Sequence, residues 1–249
     1  MANNPKVLEG NIENLSEKAE NLEAEIHEAC CDNETEKVIA ILEKNRKDID
    51  VAKIDQNGSI LVAIENKNEL VVSELLKIGC EPNVEDNEGH TPLHYATLYR
   101  NCKIVKALLE NGANVNCQSK DGLLTSLHYA AEDGYLEIAE LLLQHNADVD
   151  IVDFMKWSAL FLAVSNHKPQ IVEILLRNGA KSYFYLKQDL HLFKNFDRVP
   201  PEIVKIFFKY YAVDISIKFV NRNGNTILEE ALCKKDVEFV KSIAYQCNL

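Results

Sequence analysis

The sequence predicts an all-α solenoid of about seven helix-pair units with projecting turns, and three observations predict it. Leu93, Leu127 and Leu160 recur at steps of 34 and 33 residues, and Ala96, Ala130 and Ala163, then Leu109, Leu143 and Leu176, keep the same offsets. Each period holds two stretches with apolar residues at helical spacing, separated by a break. A polar, turn-forming tail closes each period. Such self-similarity marks stacked repeats, in which no unit buries its apolar face alone.

The unit beginning "GHTPLHYATLYRN" shows the elements in order. Thr91 suits an N-cap and Pro92 the first helical position, where no amide donor is needed. Leu93 and Ala96 lie three apart on one helical face. After the break at "YRN", Ile104, Val105, Leu108 and Leu109 repeat at helical spacing. Gly112 follows, where a left-handed residue ends a helix. The tail "ANVNCQSKDG" is polar, and its Asp121-Gly122 step favours a positive φ.

Thr91-Pro92-Leu93-His94-x-Ala96, with this period and a Gly-Ala-Asn-Val-Asn tail, resembles the ankyrin repeat family. The likeness is specific from Asp55 to Ala180 and looser outside, where Pro200-Pro201 and Phe193 depart from the pattern. It divides residues 23–249 into units of roughly 23–54, 55–85, 86–118, 119–152, 153–187, 188–220 and 221–249. Residues 1–22 form an amphipathic extension: Ile12, Leu15, Ala19, Leu22 and Ile26 make a heptad-like stripe. A cap over the first unit is the expected role, with self-association or a disordered tail as alternatives.

Composition limits the function. The formal net charge is −12 and the pI about 5.1, so the chain repels phosphate backbones and nucleic acid is not an expected partner. No apolar run approaches the length of a membrane span, and the N-terminus lacks a signal-peptide core. Seven scattered cysteines with no C-x-x-C pair read as cytosolic thiols. No H-E-x-x-H, G-x-S-x-G or phosphate-binding glycine loop appears, and no His or Cys has a partner at zinc-site spacing. The expected protein is non-enzymatic, without cofactor or metal, and monomeric. Cys30-Cys31 reads as helix packing, not a nucleophile.

The resemblance implies a protein-interaction module that binds through a concave face and the turn tips. It also implies that Thr91, Pro92, His94, His128 and His191 are structural, each imidazole bonding within its own turn and across to the next unit. Asn116 has the position of asparagines that asparaginyl hydroxylases modify in such arrays. The stretch "IVDFMKWSAL" places Phe154, Met155 and Trp157 where neighbouring units have polar turn residues. Trp157 corresponds to His90, and Leu123 and Leu124 lie beside that place in a unit with a one-residue insertion. With Leu98, Tyr99, Tyr183 and Tyr185, these are the expected partner contacts; packing of the aromatics onto their own unit is the competing reading. Two other roles stand beside simple binding. One is a ubiquitin-ligase adaptor using the C-terminal units, with "VPPEIVKIFFKYY" as an F-box-like segment. The other is an effector of an intracellular microbe or virus, delivered into a host cytoplasm.

Overall fold

The computed structural model describes residues 22–181 together with 200, 202, 203, 205–207, 209 and 210. The chain divides into two compact units, Met1–Asp121 and Gly122–Leu249.

The described residues of the first unit hold a helix over 22–31 (α1), followed by α2 (Thr35–Asn45), α3 (Val51–Gln56), α4 (Ser59–Glu65), α5 (Glu69–Ile78), α6 (Pro92–Leu98) and α7 (Cys102–Glu110). The apolar spacing explains the packing. α5 buries Val71, Val72, Leu75 and Leu76, and α7 buries Ile104, Val105, Leu108 and Leu109, the same places one period on. Each buried aliphatic side chain contributes about 1.5–3 kcal/mol. α5 packs on α2, α4 and α7, and α6 packs on α4 and α7.

Between α2 and α4 a short helix stands where the repeat pattern places a projecting turn. The stretch "DIDVAKIDQNG" lacks the Gly-Ala-x-Val tail. Asp50 caps α3 by accepting the Ala52 amide at 3.1 Å, and Ile54 is fully buried.

In the second unit α8 (Ser126–Asp133), α9 (Leu136–Gln144), α10 (Ala159–Ser165) and α11 (Pro169–Arg177) repeat the arrangement. α10 packs on α8 and α11, and α9 packs on α8 and α11. The "VPPEIVKIFFKYY" segment is helical at its described positions from 202 to 210. Ile203 and Phe207, four residues apart, are buried, and Lys209 pairs with Glu173 at 2.7 Å. Among the described residues the only β-type pairing is one isolated bridge, Val152 with Ser158, and no helix is long and apolar enough to cross a membrane. Residues 1–21, Tyr183, Tyr185 and His191, and most of 188–249, lie outside the described residues.

The period is also written in the backbone. Asn33, Lys67, Arg100, Gly134 and His167, at the breaks between paired helices, all have positive φ. So do Gly79, Gly112, Asn146 and Gly179 after the second helices. There the following amide reaches back to the helix, as Ala113 does to the Leu108 carbonyl at 3.0 Å and Ala147 to Leu142 at 3.0 Å. Lys67, at φ 55, carries the cost of a side chain in this region, about 1–2 kcal/mol. Lys67→Gly releases that cost and loses about 0.4–1 kcal/mol to the freer unfolded chain. A net gain of about 0.5 kcal/mol in urea denaturation is expected; a loss there would show that the left-handed turn is not strained.

Candidate functional site

The projecting turns are anchored by the helices behind them. Thr91 and Thr125 each close a capping box with the histidine three residues on. The Thr91 amide donates to His94 Nδ1 at 2.9 Å, and the Thr125 amide to His128 Nδ1 at 3.1 Å. With Nδ1 accepting, the proton sits on Nε2. His94 Nε2 therefore donates to the Cys117 carbonyl at 3.1 Å, and His128 Nε2 to the Trp157 carbonyl at 3.2 Å. Both imidazoles are buried. Burial holds the His128 pKa below its ordinary value, against the opposing effects of the Trp157 bond, the Asp153 charge and the Ile151 bond.

Two turns share one design. In the first unit the Asp86 amide donates to the His90 carbonyl at 3.1 Å, and the Asp86 carboxylate accepts the His90 amide at 2.8 Å. In the second unit Asp153 and Trp157 make the same bonds at 2.9 and 2.8 Å. Gly89 (φ 78) and Lys156 (φ 67) take the left-handed corner. Each turn also joins a neighbouring one: the Lys120 amide donates to Glu88 at 2.8 Å, and the Phe154 amide to Gly122 at 3.1 Å. In the intervening turn the left-handed residue is Leu123 (φ 52), not Gly122. The one-residue insertion shifts the corner by one place, and a bulky side chain takes a conformation that normally belongs to glycine.

The second-unit tip is apolar and open. Phe154 is 62% exposed, Met155 48%, Leu123 41% and Trp157 37%, while Leu124 is half-buried. Trp157 lies flat on Phe161, with centroids 4.8 Å apart and planes at 18°. Phe161 holds the place that His94 and His128 hold in the other units, in "SALF" against "TPLH" and "TSLH". It was missed as a site residue, and that break in the motif was the signal. The tip is open to water, and the indole has one face covered by Phe161.

In the first unit Leu98 is 37% exposed and Tyr99 half-buried, with the Tyr99 ring stacked on Tyr95 at 6.2 Å. His90 differs from the other expected contacts. It is only 8% exposed, because its ring packs between Tyr95 and the edge of His94. With His94 turned inward to Cys117, nothing there resembles the Phe161 platform.

The cysteines divide by environment. Cys30 is buried, and burial first, then its neighbour Cys31, pushes its thiol up to about 12, as suits a packing residue. Cys31 is exposed and lies 3.6 Å from His27 Nε2.

Trp157 is the only tryptophan, so its fluorescence reports the tip. We expect emission between the fully buried and fully exposed limits, with partial quenching by acrylamide. Trp157→Ala should cost about 0.5–1.5 kcal/mol, the loss of one aromatic stack. A loss of about 3–5 kcal/mol with blue, unquenchable emission would place the indole in the core instead.

Stacked helix pairs joined by projecting turns and locked by buried histidines define a helical tandem-repeat protein. The chain belongs to the ankyrin repeat family: the family model for ankyrin repeats matches residues 26–119 and 112–184. It is 38% identical over 122 residues to the transient receptor potential channel pyrexia of Drosophila melanogaster, covering 49% of this chain and 12% of the channel. It is 31% identical over 139 residues to an ankyrin repeat protein of Fowlpox virus (strain NVSL), covering 55% of this chain and 23% of that protein. It is 28% identical over 149 residues to the mouse (Mus musculus) B-cell lymphoma 3 protein homolog, covering 58% and 33%. The chain thus spans a third or less of these relatives. Ankyrin repeats generally mediate protein–protein interaction and are generally non-enzymatic.

Proposed function

We propose that this chain is a cytoplasmic protein-binding module whose principal contact is the apolar tip formed by Leu123, Phe154, Met155 and Trp157. The observation that carries this reading is the exposure of three large apolar side chains, Phe154, Met155 and Trp157, in one five-residue turn that its own backbone bonds hold rigid. Exposed aromatics on a pre-organised turn suit a hot spot, because little side-chain freedom is lost on binding. Leu98 and Tyr99 add a first-helix contact in the first unit, in the groove that the family uses.

The test is an affinity comparison with the full chain. Partners captured by wild type should bind Phe154→Ala and Trp157→Ala about tenfold or more weakly, near 1.4 kcal/mol. Circular dichroism should show both variants folded. Equal capture by all three proteins would move the binding surface to Leu98 and Tyr99.

The relative in Fowlpox virus supports a second reading, an effector that acts on host proteins. Binding confined to proteins of a host cell, and absent from those of the source organism, would select it. The ubiquitin-ligase adaptor reading rests on 188–249; binding of an adaptor subunit to those units would support it.

A further inference from the structure

We propose that Asp86, Glu88 and His90 form a binding site for one divalent cation of the zinc and cobalt class, on the turn of the first unit. Its donors are a ring nitrogen and two carboxylate oxygens, within 4.8 Å of one another. His90 Nδ1 stands 3.7 Å from Asp86 Oδ2 and 3.8 Å from Glu88 Oε2. An ion about 2.0–2.2 Å from each donor holds neighbouring donors about 3–4 Å apart. A proton shared by imidazolium and carboxylate would instead draw them to about 2.7–2.9 Å. Both His90–carboxylate spacings fall in the range set by an ion, and the exposed Glu88 side chain is free to close the rest of the set around it.

The surroundings hold these donors in place. Asp86 Oδ1 accepts the amides of Glu88 at 2.9 Å and His90 at 2.8 Å, and Oδ2 accepts the Tyr95 hydroxyl at 2.5 Å. Burial pushes the Asp86 carboxyl up, but these bonds outweigh it and keep the group ionised, the form that ligates. The His90 side chain is 10% exposed, and the His94 and Tyr95 rings set its orientation. On its far side Asp121 Oδ1 lies 3.9 Å from Nε2. The Glu88 side chain is 71% exposed, so water completes the coordination from that side.

One imidazole with two carboxylates suits a borderline ion; calcium takes about 6–8 oxygens instead. A search of His and Cys spacing passes over this site because two of its donors are carboxylates. The matching turn of the second unit is an internal control. Met155 and Trp157 stand at the places of Glu88 and His90, so two donors are missing there.

The test uses the full chain, stripped with a chelator and kept reduced. Co²⁺ is followed by its visible absorption and Zn²⁺ by calorimetry. One ion should bind without a thiolate-to-cobalt charge-transfer band. Glu88→Gln and His90→Leu should each weaken it about tenfold or more. Glu88→Gln alters an exposed side chain; if His90→Leu fails to fold, Glu88→Gln and the loss of its zinc-dependent rise in Tm decide. Unchanged affinity in Glu88→Gln, a charge-transfer band that places the ion on cysteines, or no binding at all would overturn the site.

Discussion

Gly89→Ala is expected to destabilise the fold by about 2–5 kcal/mol, from two costs acting together. Gly89 has φ 78, where any other L-residue loses about 1–2 kcal/mol. A Cβ at this position would also lie 2.7 Å from Lys120 Cγ and 2.9 Å from the Lys120 backbone nitrogen. The lysine side chain can swing aside. Its nitrogen cannot, because it donates to the Glu88 carbonyl at 2.8 Å. Forcing the turns apart to admit the methyl group adds about 1–3 kcal/mol, as overpacking does. The equivalent corner of the second-unit turn is Lys156, at φ 67. Lys156→Gly relieves left-handed strain and should be neutral or stabilising by about 0.5 kcal/mol. Urea denaturation of the two variants therefore gives opposite signs at matching positions. Equal, small effects at both would mean that the close approach to Lys120 is not limiting.

The same turns show what was legible in the sequence. Helix pairs were readable because burial imposes a 3.6-residue spacing, and Val71, Val72, Leu75 and Leu76 return one period later in α7. The histidine locks followed from the family resemblance and have a plain chemical basis: a buried imidazole with one accepting and one donating nitrogen joins two backbone segments. What escaped prediction depended on which side chain meets which. Leu123, not Gly122, takes the left-handed corner because the insertion moves the turn by one residue. α3 replaces a projecting turn because Ile54 finds a buried place and Asp50 a capping bond. His90 and Trp157 hold equivalent positions yet face different surroundings. One replacement behind the turn, Phe161 for histidine, gives the indole a platform, whereas His90 is enclosed by Tyr95, His94 and carboxylates. Exposure at a turn tip is set by such neighbours, so the aromatic content of "DFMKW" alone did not settle it.

His128→Ala should lower stability by about 1–3 kcal/mol and change its pH dependence, because it leaves the buried Thr125 amide unpaired. The Thr125 amide loses its acceptor, and the Trp157 carbonyl loses one of two donors, the Asp153 amide remaining. The second loss removes the tie between the turn and α8, while the Asp153 bonds stay, so acrylamide should quench Trp157 more strongly in the variant while far-UV circular dichroism still reports helix. The pH dependence follows from the lowered pKa of His128. The folded protein holds this imidazole neutral, whereas the unfolded chain protonates it near the ordinary value of 6.5. Between those two pKa values the unfolded state binds more protons, so stability rises with pH there. The contribution is fully present above pH 6.5 and is lost as the pH falls from 6.5 through the folded value. Protonation also removes the lone pair that accepts the Thr125 amide, so acid acts on the same bond that the mutation deletes. Thermal unfolding at a series of pH values from 7.5 downwards should show wild-type Tm falling below pH 6.5 more steeply than that of His128→Ala. Parallel curves for the two proteins would show that His128 does not titrate in this range and would assign the acid sensitivity to other groups.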